Sequence, residues 1–366
     1  MTAIESTLRE HRAARQLPGE AFGSSELFEL DRAIFLGAWL PVCHVSELRV
    51  PGAFTAVEAF GERVIVVRGA DFEVRAFFDR CLHRGTPLTT EAFGRLERLE
   101  LVCPYHGLRY DLRGDAREPE ASKLCLERRT LDQAAVSERF GFVFVRPRGE
   151  GSSIADEPAP PWLDRASLHT LKLLRRNVHV ARANWKLLAQ NFQESHHFAL
   201  VHPSLERRTP YEGSESHDFG GRFLGGTMRL ADDCETVSES CLRNGRPFVA
   251  AEEDRRVVRD ACLFPGWLTS LQPDYFLSYR LLPHAPDETR IVFEIYVHAE
   301  ADATAGEDLF TFWDRTNAED RAICERQQRG VTSPSYQPGP YAPSEDGMHA
   351  FDRLVAGAYA KLSEDL

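Results

Sequence analysis

Two short segments constrain this chain more than any other feature. Cys81-Leu82-His83-Arg84-Gly85 and Cys103-Pro104-Tyr105-His106-Gly107 each set a Cys ahead of a His at short range. Each can close into a tight loop that offers one thiolate and one imidazole, so two facing loops gather four ligands at one place. Four-coordinate zinc accepts two Cys and two His, but a zinc finger normally presents its cysteines together and its histidines together. The mixed order here suits a [2Fe–2S] cluster in which two Cys hold one iron and two His hold the other. Loops of this kind belong on hairpin tips, which places an antiparallel β domain around them.

The flanking sequence reads that way. Trp39-Leu40-Pro41-Val42 and Val64-Ile65-Val66-Val67 are short apolar runs, Val74-Arg75-Ala76-Phe77 alternates, and Gly52, Gly61 and Gly69 punctuate them. The β domain is expected over residues 39–148, closing at Phe140-Gly141-Phe142-Val143-Phe144-Val145, with a loop insertion around Ala92-Phe93-Gly94 in the long spacer between the two ligand pairs. Gly149-Glu150-Gly151-Ser152-Ser153 through Pro158-Ala159-Pro160-Pro161 reads as a linker over 149–161. A second domain is expected over 162–366, with the arm 1–38 packing on it. It segregates strand-like stretches such as Thr289 to Val297 from helical ones at about 182–200, 306–330 and 346–363. With no βαβ alternation, the expected class is α+β, an antiparallel sheet covered by helices.

That second domain carries its own cluster. Glu194-Ser195-His196-His197 is followed by His202, and three histidines so close together ask for a common purpose. An acid three residues before a His shares its helical face, and a break near Val201 lets His202 turn back toward the same point. Iron(II) that activates O₂ takes two imidazoles and one carboxylate on one face. The carboxylate has to come from elsewhere, and composition alone does not separate Asp314, Glu319, Asp320 and Glu325 in the later helical stretch.

Formal charge is −12, with acidic and basic residues interleaved, which disfavours nucleic-acid binding. No run of eighteen apolar residues occurs, and the start Met1-Thr2-Ala3-Ile4-Glu5-Ser6 lacks the order of a secretory signal, so a cytoplasmic protein with no membrane association is expected. Cys43, Cys125, Cys234, Cys241, Cys262 and Cys324 show no disulfide-framework spacing and read as free thiols. No Gly-x-Gly-x-x-Gly follows a strand, so no nucleotide-binding unit is expected.

The paired Cys-His loops with Gly107-Leu108-Arg109-Tyr110-Asp111, together with Glu194 to His202, resemble the large (α) subunits of Rieske non-haem iron oxygenases. The resemblance implies that Cys81, His83, Cys103 and His106 hold the [2Fe–2S] cluster and that His197, His202 and Asp320 hold a mononuclear Fe(2+). His196 stands where relatives usually have Tyr, and Gln190 where many have Glu. Glu194 matches the acidic residue that bridges a cluster histidine of one subunit to an iron histidine of the next in a head-to-tail homotrimer. Electrons would come from NAD(P)H through a separate flavin or iron–sulfur reductase, and O₂ and a small molecule would be the substrates.

Cys262 to Tyr275 and Tyr336 to Tyr341 are similar to the branch that acts on quaternary ammonium compounds such as glycine betaine, stachydrine, choline and carnitine. That implies N-demethylation, with Trp267, Tyr275, Phe276 and Tyr279 available as aromatic faces for a cationic head. A ring-hydroxylating oxygenase for an aromatic acid or amine is the alternative, and a Rieske electron carrier without catalysis a third.

Overall fold

The computed structural model describes residues 2–249, 251, 253–301 and 306–364. The chain divides into two compact units, Phe35–Asp156 and Met1–Ile34 with Glu157–Leu366.

The first unit is built from β1 (Leu40–His44), β2 (Ala53–Ala59), β3 (Glu62–Arg68), β4 (Val74–Phe78), β5 (Phe93–Arg95), β6 (Glu100–Val102), β7 (Arg109–Asp111), β8 (Gln133–Arg139) and β9 (Phe142–Arg146). Seven of these strands form one sheet in the order β1-β9-β8-β4-β3-β2-β5, while β6 and β7 form a separate hairpin. The spacer between the two ligand pairs, expected to carry only a loop insertion, supplies a strand, for Phe93, Gly94 and Arg95 pair with Thr55, Phe54 and Ala53. Phe54, Ile65, Val67, Phe77, Leu101, Leu108 and Tyr110 form a core directly beneath the Cys–His loops. Part of the stretch expected as a linker belongs to this unit. Ile154 is fully buried, its carbonyl accepts from the Arg139 guanidinium at 2.6 Å, and Trp39 Nε1 donates to the Ser152 carbonyl at 3.0 Å.

In the second unit, β10 (Leu171–Ala181), β11 (Glu215–Asp218), β12 (Phe223–Arg229), β13 (Val257–Leu263), β14 (Trp267–Leu271), β15 (Tyr275–Ala285) and β16 (Glu288–His298) form an antiparallel sheet in the order β10-β16-β15-β14-β13-β12-β11. Two long helices, Gly306–Val331 and Asp346–Glu364, pack with it. The N-terminal helix Ser25–Leu36 is anchored here by Asp31, which forms a buried ion pair with Lys186 and accepts a hydrogen bond from the Tyr359 hydroxyl at 2.6 Å. Removing one partner of such a pair strands a charge in the core, which is costlier than never having buried it. Among the described residues, no helix is long and apolar enough to cross a membrane.

The helix expected over about 182–200 is shorter. Asn184 caps it by accepting from the Lys186 backbone N–H at 3.0 Å, and it runs only over Trp185–Phe192. The chain then leaves helical geometry at Glu194, whose carboxylate takes up the His197 backbone N–H at 3.2 Å and its ring Nδ1 at 2.6 Å. Glu194 and His197 are therefore partners across a turn and not on one helical face. A single turn, Phe198–Val201, ends at His202 (φ −125°, ψ 63°), because Pro203 follows and disfavours the α conformation in the residue before it.

Candidate metal centres

In the first unit the two ligand loops close in the same way. The Cys81 carbonyl accepts from Gly85 N–H at 2.8 Å and the Cys103 carbonyl from Gly107 N–H at 3.1 Å, while the two Cys N–H groups donate to Thr86 and Leu108. Gly85 and Gly107 sit at φ 72° and 73°, a left-handed conformation that glycine adopts without penalty. Both thiols are buried, and burial pushes Cys103 up. The His83 and His106 rings face each other with their Nδ1 atoms 3.2 Å apart, a spacing at which both can ligate one ion about 2.1 Å from each.

The sulfur pair and the nitrogen pair are not drawn into one knot. Among the described residues, these four side chains do not bring their ligand atoms within 4.8 Å of one another, whereas another group does. Tetrahedral zinc needs a single knot; a two-iron cluster needs separate S₂ and N₂ ends, and these residues fit it.

Buried Tyr110 accepts a hydrogen bond from Leu82 N–H at 2.9 Å, and its hydroxyl lies 3.3 Å from Cys81 Sγ. With the N–H already donating to it, the hydroxyl is free to donate to the sulfur. Hydrogen bonds to cluster sulfurs raise the reduction potential. Tyr110→Phe is therefore expected to lower the potential by about 40 mV, the equivalent of one hydrogen bond of about 1 kcal/mol for a one-electron couple. Voltammetry of the purified protein measures this, and an unchanged potential would remove Tyr110 from the sulfur.

In the second unit, the group whose ligand atoms do lie within 4.8 Å of one another is His197, His202 and Asp320. Asp320 Oδ1 accepts from His202 Nε2 at 2.8 Å and lies 3.6 Å from His197 Nε2. Asn191 Nδ2 donates to the same oxygen at 2.6 Å. Each imidazole is held from behind by a carboxylate, His197 Nδ1 by Glu194 at 2.6 Å and His202 Nδ1 by Glu319 at 2.7 Å. With Nδ1 turned outward to a carboxylate, Nε2 is the atom each ring offers to the common centre, and the partner carboxylates raise ligand basicity.

Burial disfavours charge on both rings, but the hydrogen bonds and charges of their carboxylate partners outweigh it. His197 is raised to about 9 and His202 is also raised, while the two imidazoles hold Asp320 well below the usual carboxylate range. The field at this point favours a cation, and these residues fit a mononuclear iron.

Of the four acids left open by composition, Asp314 pairs with Arg175 and Asn177, Glu325 accepts from the Arg182 backbone N–H, and Glu319 stands behind His202. Only Asp320 faces both Nε2 atoms. His196 turns away, with its ring stacked on Tyr211 and Nδ1 3.2 Å from Ser344 Oγ. Asn191 was not anticipated as a site residue, and Glu319, one of the four candidate ligands, instead supports His202 from behind.

The triad opens into a cavity of about 950 Å³, its mouth included, walled largely by apolar side chains such as Leu188, Leu205, Leu277, Phe293 and Trp313. Of the four aromatics expected at the substrate, only Tyr279 lines it; its hydroxyl donates to Asn317 Oδ1 at 3.0 Å. Strand alternation sends Trp267 and Phe276 to the opposite face of the sheet. Trp267 Nε1 donates there to Ser278 Oγ at 3.0 Å, and Phe276 packs on Tyr296. Tyr275 is sealed in the core, with its hydroxyl accepting from Trp313 Nε1 at 2.8 Å and donating to the Val237 carbonyl.

Residues 38–128 match the Rieske [2Fe-2S] domain family, and residues 168–361 match the family described as ring hydroxylating alpha subunit (catalytic domain). The glycine betaine monooxygenase oxygenase subunit of Chromohalobacter salexigens is 28% identical, over 93% of this chain and 84% of that one. The N,N-dimethyl phenylurea N-demethylase subunit alpha of a Sphingobium species is 31% identical over 70% of this chain and 55% of its own length. A quaternary ammonium Rieske monooxygenase, whose structure was described for carnitine oxidation by gut microbiota and inter-subunit electron transfer, superposes with a TM-score of 0.82 at 23% identity. It covers 94% of this chain and 95% of that one.

Proposed function

The chain belongs to the ring-hydroxylating α-subunit family of Rieske non-haem iron oxygenases, and from that premise we propose that it is the terminal oxygenase of a system that removes an N-methyl group from a small methylated amine. One oxygen atom of O₂ enters a methyl C–H bond, and the other leaves as water with two electrons and two protons. The N–CH₂OH product then breaks its C–N bond, giving formaldehyde and the demethylated amine. The observation that carries this reading is the His197, His202 and Asp320 triad opening into an apolar cavity. The glycine betaine and dimethyl phenylurea relatives, both named for N-methyl substrates, support the choice of bond.

His197, His202 and Asp320 would hold the iron, and Cys81, Cys103, His83 and His106 the cluster. When bound, the iron supplies O₂ activation and the cluster supplies electrons one at a time. The chain's own residues set the stage for that chemistry. Glu194 and Glu319 fix the tautomer and angle of each imidazole, and Asn191 holds Asp320. The apolar walls keep water from the reacting methyl group.

Electrons would arrive from NAD(P)H through a separate reductase, for which exposed His106 and Tyr105 offer a docking edge beside the cluster. A homotrimer is supported by the structural relative described for inter-subunit electron transfer, and Leu200, 90% exposed on the turn between the two iron histidines, would lie at such a contact. Glu194 would then link His197 to a cluster histidine of that neighbour. The six cysteines outside the cluster loops are free thiols, which suits the reducing cytoplasm.

The test supplies the purified chain with a Rieske-oxygenase reductase, NADH and a panel of methylated amines and aromatic acids. Amine-dependent NADH oxidation with matching formaldehyde is expected. Diol or phenol products from an aromatic acid, without formaldehyde, would establish ring hydroxylation instead.

A further inference from the structure

Besides the triad and its neighbours, the largely apolar cavity carries a second polar corner on the sheet. Asp260 on β13 lies directly opposite Ser270 on β14, and Gln272 lies two residues further along on the same face. Gln272 Nε2 donates to Ser270 Oγ at 2.7 Å, which leaves Gln272 Oε1 buried without a protein donor. Asp260 Oδ1 is also buried and meets no protein donor. Both side chains line the cavity, so two unmatched acceptor oxygens lie at one corner of it, and among the described residues no cation pairs with them. Leaving a buried carboxylate unmatched is costly unless something arrives to match it. Burial pushes the Asp260 carboxyl up to about 7 despite a bond from Ser270, as befits an acid that has lost water and gained no counter-charge.

This corner is within reach of the metal-binding wall. Tyr279, which bonds Asn317 on the helix that carries Asp320, is pushed up by burial and by the charges of both Asp320 and Asp260. Asp260, Tyr279 and Asp320 all line this one cavity.

We propose that Asp260, backed by Ser270 and Gln272, reads the positive charge of the substrate, holding the cationic nitrogen of a methylated ammonium while one of its methyl groups faces the His197, His202 and Asp320 triad. The proposal rests on the N-demethylase reading and narrows its substrate to a cation. A neutral N-methyl compound would leave the Asp260 carboxylate unmatched, and an anion placed at this corner would be repelled. The apolar walls and Tyr279 then enclose the methyl groups while the carboxylate supplies the one charge they lack.

The experiment measures calorimetric binding to the full chain, loaded with cluster and iron under anaerobic conditions and without reductase. It uses matched pairs that differ only in N⁺ against C, namely choline against 3,3-dimethylbutan-1-ol and glycine betaine against 3,3-dimethylbutanoate. The native chain is expected to prefer the ammonium member of each pair. Asp260→Asn should weaken the ammonium member about 10–100-fold, the loss of one charged contact, and not weaken its carbon isostere. Asp260→Ser, smaller and equally uncharged, should do the same.

Unchanged cation binding in these variants, or an equal loss for both members of a pair in both of them, would overturn the assignment. Formaldehyde assays separate the two readings. Cation binding that depends on Asp260 but yields no formaldehyde would overturn the N-demethylase reading alone. Formaldehyde from a methylated ammonium at the native KM in Asp260→Asn would overturn only the role given to Asp260.

Discussion

Asp320→Ala is expected to abolish turnover while the cluster keeps its visible absorption and remains reducible. Asp320 Oδ1 is the one oxygen that faces both Nε2 atoms, and losing it leaves two imidazoles with no anionic ligand between them. The fall in formaldehyde formation should be about 1000-fold or more, equivalent to roughly 4 kcal/mol of transition-state stabilisation. Elemental analysis should show two irons per chain where the native protein has three. Glu319→Gln is the control on the same helix. It alters only the group behind His202, and a loss of about 10–100-fold in iron affinity or activity is expected from such outer positions. If Asp320→Ala kept its third iron and its turnover, the anionic ligand would have to be sought in a neighbour, with Glu319 first.

The second large effect belongs to Glu194→Gln. The amide is isosteric and no metal ligand is lost, so both metals should stay bound. The carboxylate accepts from His197 Nδ1 and from the His197 backbone N–H, and an amide can match only part of this, since its NH₂ end donates where acceptance is wanted. If Glu194 also accepts from a cluster histidine of a neighbouring subunit, weakening charge-assisted bonds worth about 1.5–3 kcal/mol each should slow electron transfer by roughly one to two orders of magnitude. Single-turnover mixing, with the pre-reduced cluster followed optically after substrate and O₂ are added, isolates that step. Native rates of cluster oxidation would dismiss the bridge; loss of the mononuclear iron would make Glu194 a ligand.

The cluster loops were the most legible part of this chain, because ligand chemistry dictates residue type, and the tight turn after each pair dictates glycine. The carboxylate at the second centre was much less so. Asp314, Glu319, Asp320 and Glu325 share one long helix, and what singles out Asp320 is how that helix faces His202, which spacing along the sequence does not encode without the resemblance.

The aromatic contacts failed for a reason of parity. Residues of β14 and β15 are buried on both faces of the sheet, with apolar and polar side chains on each, so alternation gave no phase to say which side Trp267, Phe276 and Tyr279 present. The helix over 182–200 was drawn too long because composition there favours helix to the end. The interaction that stops it, Glu194 folding back on His197, is formed by the very residues that make the site.

Pro203 has an effect beyond ending a turn. By restricting the backbone of His202, while Glu319 restricts its ring, it fixes one wall of the second centre as soon as the domain folds. The entropy of ordering that ligand is therefore spent in folding and not at the moment of metal capture. A zinc finger, by contrast, is assembled by its ion and collapses without it. Here the stripped protein should remain a folded receptacle, and activity should return on supplying ferrous ion, with no refolding required.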